Sequence, residues 1–88
     1  MSFSFNDPLA DKVWFDETNL WILLKDARKI SIPLVFFPRL SSAPKEELNK
    51  YQISGGGIGI HWEGLDEDLN VPLLVLGIVD NGKILEYA

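Results

Sequence analysis

The N-terminal part of the chain alternates apolar and polar positions in a way that predicts a three-stranded antiparallel meander. Two short β-prone runs, Val13 to Phe15 and Leu20 to Leu24, are joined by the polar sequence DETN, which is typical of a hairpin turn. A second polar turn, KDAR, precedes KISIPL, where apolar residues recur at every other position as in a strand with one buried face. The pattern therefore predicts three strands that pair in sequence order.

After the third strand the period changes from that of a strand to that of a helix. Leu34, Phe37 and Leu40 recur at helical spacing, and Pro38 fits a helix only near its first turn. A second helix is predicted over PKEELNKY, residues 44–51, because proline is favoured at the first helical position and acidic residues in the first turn.

The caps and buried positions of the second helix follow from the same spacing. Ser42 precedes it and is its candidate cap. Leu48 and Tyr51 lie three residues apart and are expected to face the sheet. The water-facing residues are expected to be Lys45, Glu46, Asn49 and Lys50.

The sequence SGGGIGIHW combines a helix breaker with a further strand. Its glycines are expected to end the second helix and to turn the chain. The segment IGIHW then alternates, which predicts a strand with Ile58, Ile60 and Trp62 on one buried face and His61 on the other. The following LDEDLN is predicted to be a turn or a single helical turn, with Asp66 as its N-cap.

The C-terminal pattern predicts a β-hairpin and completes one domain. The turn sequence DNGK separates two β-prone runs, 74–79 and 84–87. Residues 1–11 show no such pattern and are predicted to be a flexible N-terminal segment. We therefore expect residues 12–88 to form a single α+β domain, a small antiparallel β-meander packed with one or two short helices.

Composition restricts the chain to one small acidic domain. Its 88 residues are too few for two cores, while an apolar content of 47% is sufficient for one. The net charge of -5 is unfavourable for contacts with phosphate backbones, so direct binding of nucleic acid is not expected. There is neither a basic start with a long apolar run nor a stretch long enough to span a membrane, which predicts a cytoplasmic protein.

The glycines of GGGIG do not fit a phosphate-binding motif. A P-loop requires Lys and then Ser or Thr directly after its last glycine, and neither is present. The dinucleotide fingerprint fails as well, because its final glycine position falls on Ile60 or Trp62. We expect Gly55 to Gly57 to turn the chain through positive φ angles and to allow close packing.

The acidic stretch matches a calcium-binding loop only in part. Asp66, Asp68 and Asn70 occupy the first three alternate ligand positions, but Val71 and Gly77 replace the required glycine and the final glutamate. The chain has no cysteine and a single histidine, so no metal or other cofactor is predicted.

His61 is the one candidate for a general base. Glu63 is the nearest carboxylate along its strand, but no serine lies in a nucleophile-elbow motif and no pair of carboxylates stands out as acid and base. We predict that the protein is not an enzyme and that His61 is a buried or half-buried residue held by a hydrogen bond.

Aromatic residues are a further candidate binding feature. Stacking on nucleobases would require basic neighbours, whereas along the sequence the neighbours are Asp16, Glu17 and Glu63, so core packing is favoured. An exposed tryptophan at a sheet edge would instead indicate a protein partner. The aromatic residues considered are Trp14, Trp21, Phe36, Phe37 and Trp62.

Two segments, IPL to FPRL and GIHWEGLDEDL, together resemble the bacterial family called domain of unknown function 2442, over about residues 12–77. The resemblance implies a small sheet with helices, similar to the N-terminal domain of a larger protein that continues into a helix-turn-helix. It also implies a gene neighbour from domain of unknown function 4160, as in toxin–antitoxin pairs. This chain lacks the helix-turn-helix, which puts direct DNA binding in doubt. The residues that carry the resemblance are Pro33, Leu34, Pro38, Arg39 and Leu40 in the first segment and His61, Trp62, Leu65, Asp66, Asp68 and Leu69 in the second.

Three functions are compatible with these observations. The first is a protein-interaction module, in its most specific form an antitoxin-like one, that binds a basic protein encoded nearby. The second is regulatory DNA binding by a homodimer that uses Arg28, Lys29 and Arg39. The third is a small enzyme with His61 as general base. The predicted interaction surface of the first consists of His61, Trp62, Glu63, Asp66, Glu67 and Asp68.

Overall fold

The structure is a computed structural model that describes residues 8–79, and it contains two three-stranded antiparallel sheets with short helices. The α+β class is therefore confirmed. The first sheet is the predicted meander, with neighbours in sequence order. Its strands are β1 (Ala10–Phe15), β2 (Asn19–Leu24) and β3 (Lys29–Pro33).

The second sheet is a second meander rather than one additional strand. Its three strands also pair with their sequence neighbours: β4 (Gln52–Ser54), β5 (Gly59–Trp62) and β6 (Glu67–Asn70). A 3₁₀ turn (Leu34–Phe36), helix α1 (Pro38–Ser41) and helix α2 (Lys45–Leu48) connect the two sheets. A second 3₁₀ turn (Glu63–Leu65) precedes β6, and helix α3 (Val71–Val75) follows it.

Asp16 shapes the turn between β1 and β2. Its Oδ1 accepts the backbone N–H groups of Thr18 (2.9 Å) and Asn19 (2.7 Å), the bonds that make Asp a frequent turn residue. Its Oδ2 accepts the indole N–H of Trp21 at 2.8 Å. The indole bond, followed by the two backbone bonds, lowers the pKa of Asp16 below its ordinary value of 3.8.

The helices between the sheets are shorter than the spacing predicts. Phe37 and Leu40 are fully buried around α1, as expected, and Pro38 is its first residue. The second helix spans only residues 45–48 instead of 44–51, because Gln52–Ser54 is taken into the sheet by pairing with β5. Ser42 ends α1 and does not cap α2, where no side-chain cap bond is formed.

The predictions for Ile58 and Asp66, which precede β5 and β6 of the second sheet, are wrong. Ile58 is exposed in the turn that precedes β5, whereas Ile60 and Trp62 are buried as expected. Asp66 is not an N-cap, since it ends a 3₁₀ turn in the left-handed conformation with a φ of 51°. The residues after it form β6, because alternate side chains can reach the core once the strand pairs with β5.

The chain ends also differ from the predicted hairpin and flexible segment. The first arm, 74–79, is not a strand: Leu74 and Val75 belong to helix α3, a turn follows, and Ile78 is a single bridge residue. The Asn70 side chain caps α3 by accepting the N–H of Leu73 at 2.9 Å. The second arm, 84–87, lies outside the described residues. Ala10 and Asp11, assigned to the flexible segment, are the first residues of β1.

The core lies between the inner faces of the two sheets and is closed by the short helices. Trp62 is 1% exposed and packs against Phe15 and Tyr51, with ring centroids 6.2 and 6.4 Å away. Its indole N–H donates to the Leu48 carbonyl at 2.9 Å, and the Tyr51 hydroxyl donates to the Val13 carbonyl at 3.0 Å. These bonds connect the second sheet, α2 and the first sheet through one buried aromatic group.

Candidate functional site

His61 lies on the outer face of the second sheet, in a row that crosses all three strands. Gln52 of β4 and Asp68 of β6 are its direct cross-strand partners. His61 Nδ1 is 2.6 Å from Asp68 Oδ1, and the His61 side chain is about one third exposed (32%). The prediction of a half-buried histidine held by a hydrogen bond, on the strand face opposite Trp62, is confirmed.

Arg39 reaches the same region from α1. Its Nη1 donates to the backbone carbonyl of Asp66 and lies 3.8 Å from Asp66 Oδ2. The left-handed conformation of Asp66 ends the 3₁₀ turn at this position. The two sequence segments that carry the family resemblance, 27 residues apart at this contact, therefore meet in space. We call Arg39, His61, Asp66 and Asp68 the polar cluster.

The two ion pairs of the polar cluster contribute little to folding. The side chains of Asp66 and Asp68 are 94% and 76% exposed, and pairs at such positions are worth about 0 to 1 kcal/mol. Their structural effect is to hold the Asp68 carboxylate against His61 and the Asp66 backbone against Arg39, while both carboxylates stay accessible to solvent.

Two residues of the predicted interaction surface do not reach the surface. Trp62 belongs to the core, and Glu67 is only 8% exposed because it lies on the inner face of β6. Glu63 is exposed in the 3₁₀ turn before Asp66. The accessible part of the predicted surface is therefore His61, Glu63, Asp66 and Asp68.

The remaining residues of the two resembling segments have structural positions. Leu34, Leu40 and Leu69 are buried in the core, and Leu65 packs against it. The first residue of α1 is Pro38, and Pro33 is the last residue of β3.

The polar cluster does not form a recognisable catalytic or metal centre. His61 and Asp68 have the relation of a base to its orienting carboxylate, but no serine within residues 8–79 is hydrogen-bonded to His61. Over the same part of the chain, no group of three or more histidine or carboxylate side chains is arranged to hold a metal ion.

The outer face of the first sheet is a feature that the sequence reasoning missed. Trp14 and Trp21 are cross-strand neighbours whose rings stack at a centroid distance of 6.0 Å and an angle of 6°. Period-two alternation together with the strand register places two lysines beside them, although the neighbours along the sequence are acidic. We call this surface the Trp face; its residues are Lys12, Trp14, Trp21, Leu23, Lys29 and Ser31.

The basic residues considered for DNA binding are distributed over different contacts. Arg28 pairs with Asp26 at 2.7 Å in the turn between β2 and β3. The backbone N–H of Arg28, together with its charge, lowers the pKa of Asp26. Lys29 lies on the Trp face, whereas Arg39 contacts Asp66.

Two antiparallel meanders, connected by short helices and carrying a polar cluster on one outer face, define the class of this protein as a small α+β domain. The chain belongs to the family described as "Protein of unknown function (DUF2442)", whose model matches residues 10–80. No curated protein matches the chain. Among residues 8–79, no helix is both long and apolar enough to cross a membrane.

Two solved structures are similar to this one. A protein of unknown function from Rhodospirillum rubrum, whose crystal structure was determined at 2.75 Å resolution, is 32% identical, with a TM-score of 0.75 over 86% of this chain and 94% of that chain. An uncharacterised protein from Chromobacterium violaceum, determined by solution NMR, is 23% identical, with a TM-score of 0.65 over 77% of this chain and 64% of that chain. The second likeness is one of fold alone.

Proposed function

We propose that the protein is a cytoplasmic protein-interaction module and that the polar cluster is part of its contact surface. The observation that carries this proposal is that His61 holds the Asp68 carboxylate at 2.6 Å while Arg39 binds the Asp66 backbone, so that two exposed carboxylates project from defined positions. Exposed pairs of this kind add little to stability, so the orientation of the acids is their main physical consequence. Oriented side chains lose less conformational entropy when a partner binds.

The charge of the chain favours a basic partner. The net charge is -5, and the exposed carboxylates of Glu63, Asp66 and Asp68 lie within six residues of one another. A negative surface accelerates association with a positively charged protein and disfavours acidic competitors. The partner therefore carries a cluster of Lys or Arg side chains.

We further propose an antitoxin-like role for this binding, with the partner encoded by an adjacent gene. The support is the gene neighbourhood that the family resemblance implies, together with the charge argument for a basic partner. An antitoxin of this type neutralises its partner by covering a functional surface, so the protein needs no catalytic centre of its own.

The test is co-expression with the product of the adjacent gene, followed by affinity measurement with purified proteins. Asp66→Asn combined with Asp68→Asn removes two charges from the polar cluster but keeps side-chain size and hydrogen-bonding oxygens. We expect about tenfold weaker binding, equivalent to about 1.4 kcal/mol. The matched control, Asp11→Asn with Glu46→Gln, removes two exposed charges elsewhere and is expected to change affinity less than about twofold.

Two results would contradict the proposal. One is that no protein co-purifies from the co-expressing cells or from the native host. The other is that the cluster variant and the control weaken binding equally, which would mean that net charge alone is responsible.

Regulatory DNA binding by a homodimer is the alternative proposal. Arg28 is paired with the Asp26 carboxylate, and Arg39 donates to the Asp66 backbone carbonyl 3.8 Å from its carboxylate, which weighs against their use as phosphate ligands. If the protein does bind DNA through these groups and Lys29, the logarithm of the affinity will fall steeply with the logarithm of salt concentration.

A small enzyme that uses His61 is the second alternative. Its support is the hydrogen bond to Asp68, which would fix the orientation of the imidazole. The alternative requires a substrate that itself brings the reacting nucleophile or a water molecule to His61.

A further inference from the structure

The Trp face is an uncovered sheet surface that carries two stacked tryptophans. Trp14 is 38% exposed although a tryptophan side chain gains more than most others from burial. Its stacking partner Trp21 and the neighbouring Leu23 are half-buried. Tryptophan is enriched at the energetic centres of protein interfaces, so an exposed stacked pair indicates a contact surface.

Along β1, the Trp face changes from a basic residue at one end to an acidic residue at the other. Lys12, Trp14 and the turn residue Asp16 follow one another at intervals of two residues, with Trp14 in the middle. At about 3.3 Å per residue, the basic and acidic ends are separated by about 13 Å. The bond from Trp21 to Asp16 holds the carboxylate beside the aromatic pair.

This order is self-complementary. A two-fold axis that runs across the strands, in the plane of contact between two copies, reverses the strand direction. Lys12 of one copy then lies opposite Asp16 of the second copy, and the reverse pair forms at the other end. The two tryptophan pairs meet between them.

We propose that the protein forms an isologous homodimer through the Trp face, with Lys12 of each copy paired with Asp16 of the other. A second copy matches this face because it supplies an acid, an aromatic pair and a base in the required order. This pairing uses the first sheet and leaves the polar cluster of the second sheet free, so it stands independently of the proposed function.

The size of the face sets the expected strength of the dimer. Three strands about 4.8 Å apart and five residues of about 3.3 Å each give a footprint of about 15 by 17 Å. That is roughly 250 Å² per copy, well below the roughly 800 Å² per partner of a standard stable interface. The dimer is therefore weak, with a dissociation constant in the micromolar range or above, and its population depends on protein concentration.

Sedimentation equilibrium from about 10 μM to 1 mM tests the proposal. The unmodified chain should shift from monomer towards dimer over this range, with a blue shift in tryptophan emission as Trp14 and Trp21 become covered. Lys12→Glu should weaken the association at least tenfold. Lys50→Glu is the matched control, because it makes the same charge change at an exposed position just after α2, where the lysine pairs with Glu47 at 3.1 Å, and should change the association less than about twofold.

A double variant separates the proposed ion pair from a general effect of charge. Asp16→Asn keeps the Oδ1 acceptor of the turn and removes the carboxylate that would repel the new acid at position 12. Lys12→Glu combined with Asp16→Asn should therefore dimerise more strongly than Lys12→Glu alone. A chain that stays monomeric at 1 mM overturns the proposal. So does an equal loss in Lys12→Glu and Lys50→Glu, or a double variant no better than the single one.

Discussion

Among residues 8–79, Gly57 is the glycine whose replacement should destabilise the protein most. It adopts a φ of +114°, and its carbonyl accepts the N–H of Ala10 at 2.8 Å, which holds the turn before β5 against the start of β1. A Cβ at this position would lie 2.7 Å from the Ala10 carbonyl oxygen, 2.8 Å from the Ala10 nitrogen and 2.9 Å from Leu9 Cβ. Two of these atoms belong to the backbone and cannot rotate away.

Gly56 is the matched control in the same turn. It also has a positive φ, +70°, but a Cβ there would meet no atom within 4 Å. Gly56→Ala therefore carries only the left-handed penalty of about 1 kcal/mol.

The magnitude for Gly57→Ala is the sum of two effects. The unfavourable backbone conformation costs roughly 1 to 3 kcal/mol. Relief of the overlap requires the turn to move away from β1, which weakens a backbone hydrogen bond worth about 0.5 to 1.5 kcal/mol. We expect a loss of about 3 kcal/mol, against about 1 kcal/mol for Gly56→Ala.

Urea unfolding followed by tryptophan fluorescence, to which the buried Trp62 contributes, measures both variants. In a domain of this size each kcal/mol shifts the melting temperature by about 4 to 8 °C, so thermal unfolding should separate the two variants by about 8 °C or more. If Gly57→Ala and Gly56→Ala differ by less than about 0.5 kcal/mol, the close approach of the turn to β1 does not constrain the fold as described.

Two further predictions concern tryptophan hydrogen bonds. Trp62→Phe removes the indole N–H that donates to Leu48 and leaves a small void. It should lower the free energy of unfolding, measured by urea titration, by about 2 to 3 kcal/mol. Trp14→Phe on the surface is the control and should lower it by less than about 1 kcal/mol. The bond from Trp21, followed by two backbone N–H groups, lowers the pKa of Asp16, so its stabilising effect is complete above pH 3.8 and is lost as the pH falls through the lower folded-state value. Asp16→Asn should therefore reduce the decline in melting temperature between about pH 5 and pH 2, and an unchanged acid dependence would contradict this account.

The sequence predicts the first sheet well because its information is local. Alternation and two polar turns specify three adjacent strands without reference to the rest of the chain. Strand β6 is different: Glu67 and Leu69 reach the core only because β5 is there to pair with, and the acids resemble a loop until that pairing is known. Aspartate is favoured both at helix N-caps and in left-handed turns, so the residue type at position 66 does not by itself decide between the two conformations.

The sequence predicts only the part of the candidate site that lies on β5. Period two places His61 on the face opposite Trp62, and the structure confirms this. The partners of His61 and Arg39 lie on elements whose relative positions are set by tertiary packing, with Asp66 27 residues from Arg39. The lysines of the Trp face become neighbours of the tryptophans only through strand register, which no window along the sequence displays.

The separation of the fold into two consecutive meanders has a consequence for synthesis of the chain. The first sheet is complete once Pro33 has been added, yet its apolar inner face is covered by Trp62, which follows about 30 residues later. At about 5 to 20 residues per second, that delay is roughly 1.5 to 6 seconds. During these seconds the nascent chain exposes the apolar inner face of its first sheet. Aggregation is therefore most probable while the chain is still on the ribosome, which is the stage at which binding of a chaperone would protect it.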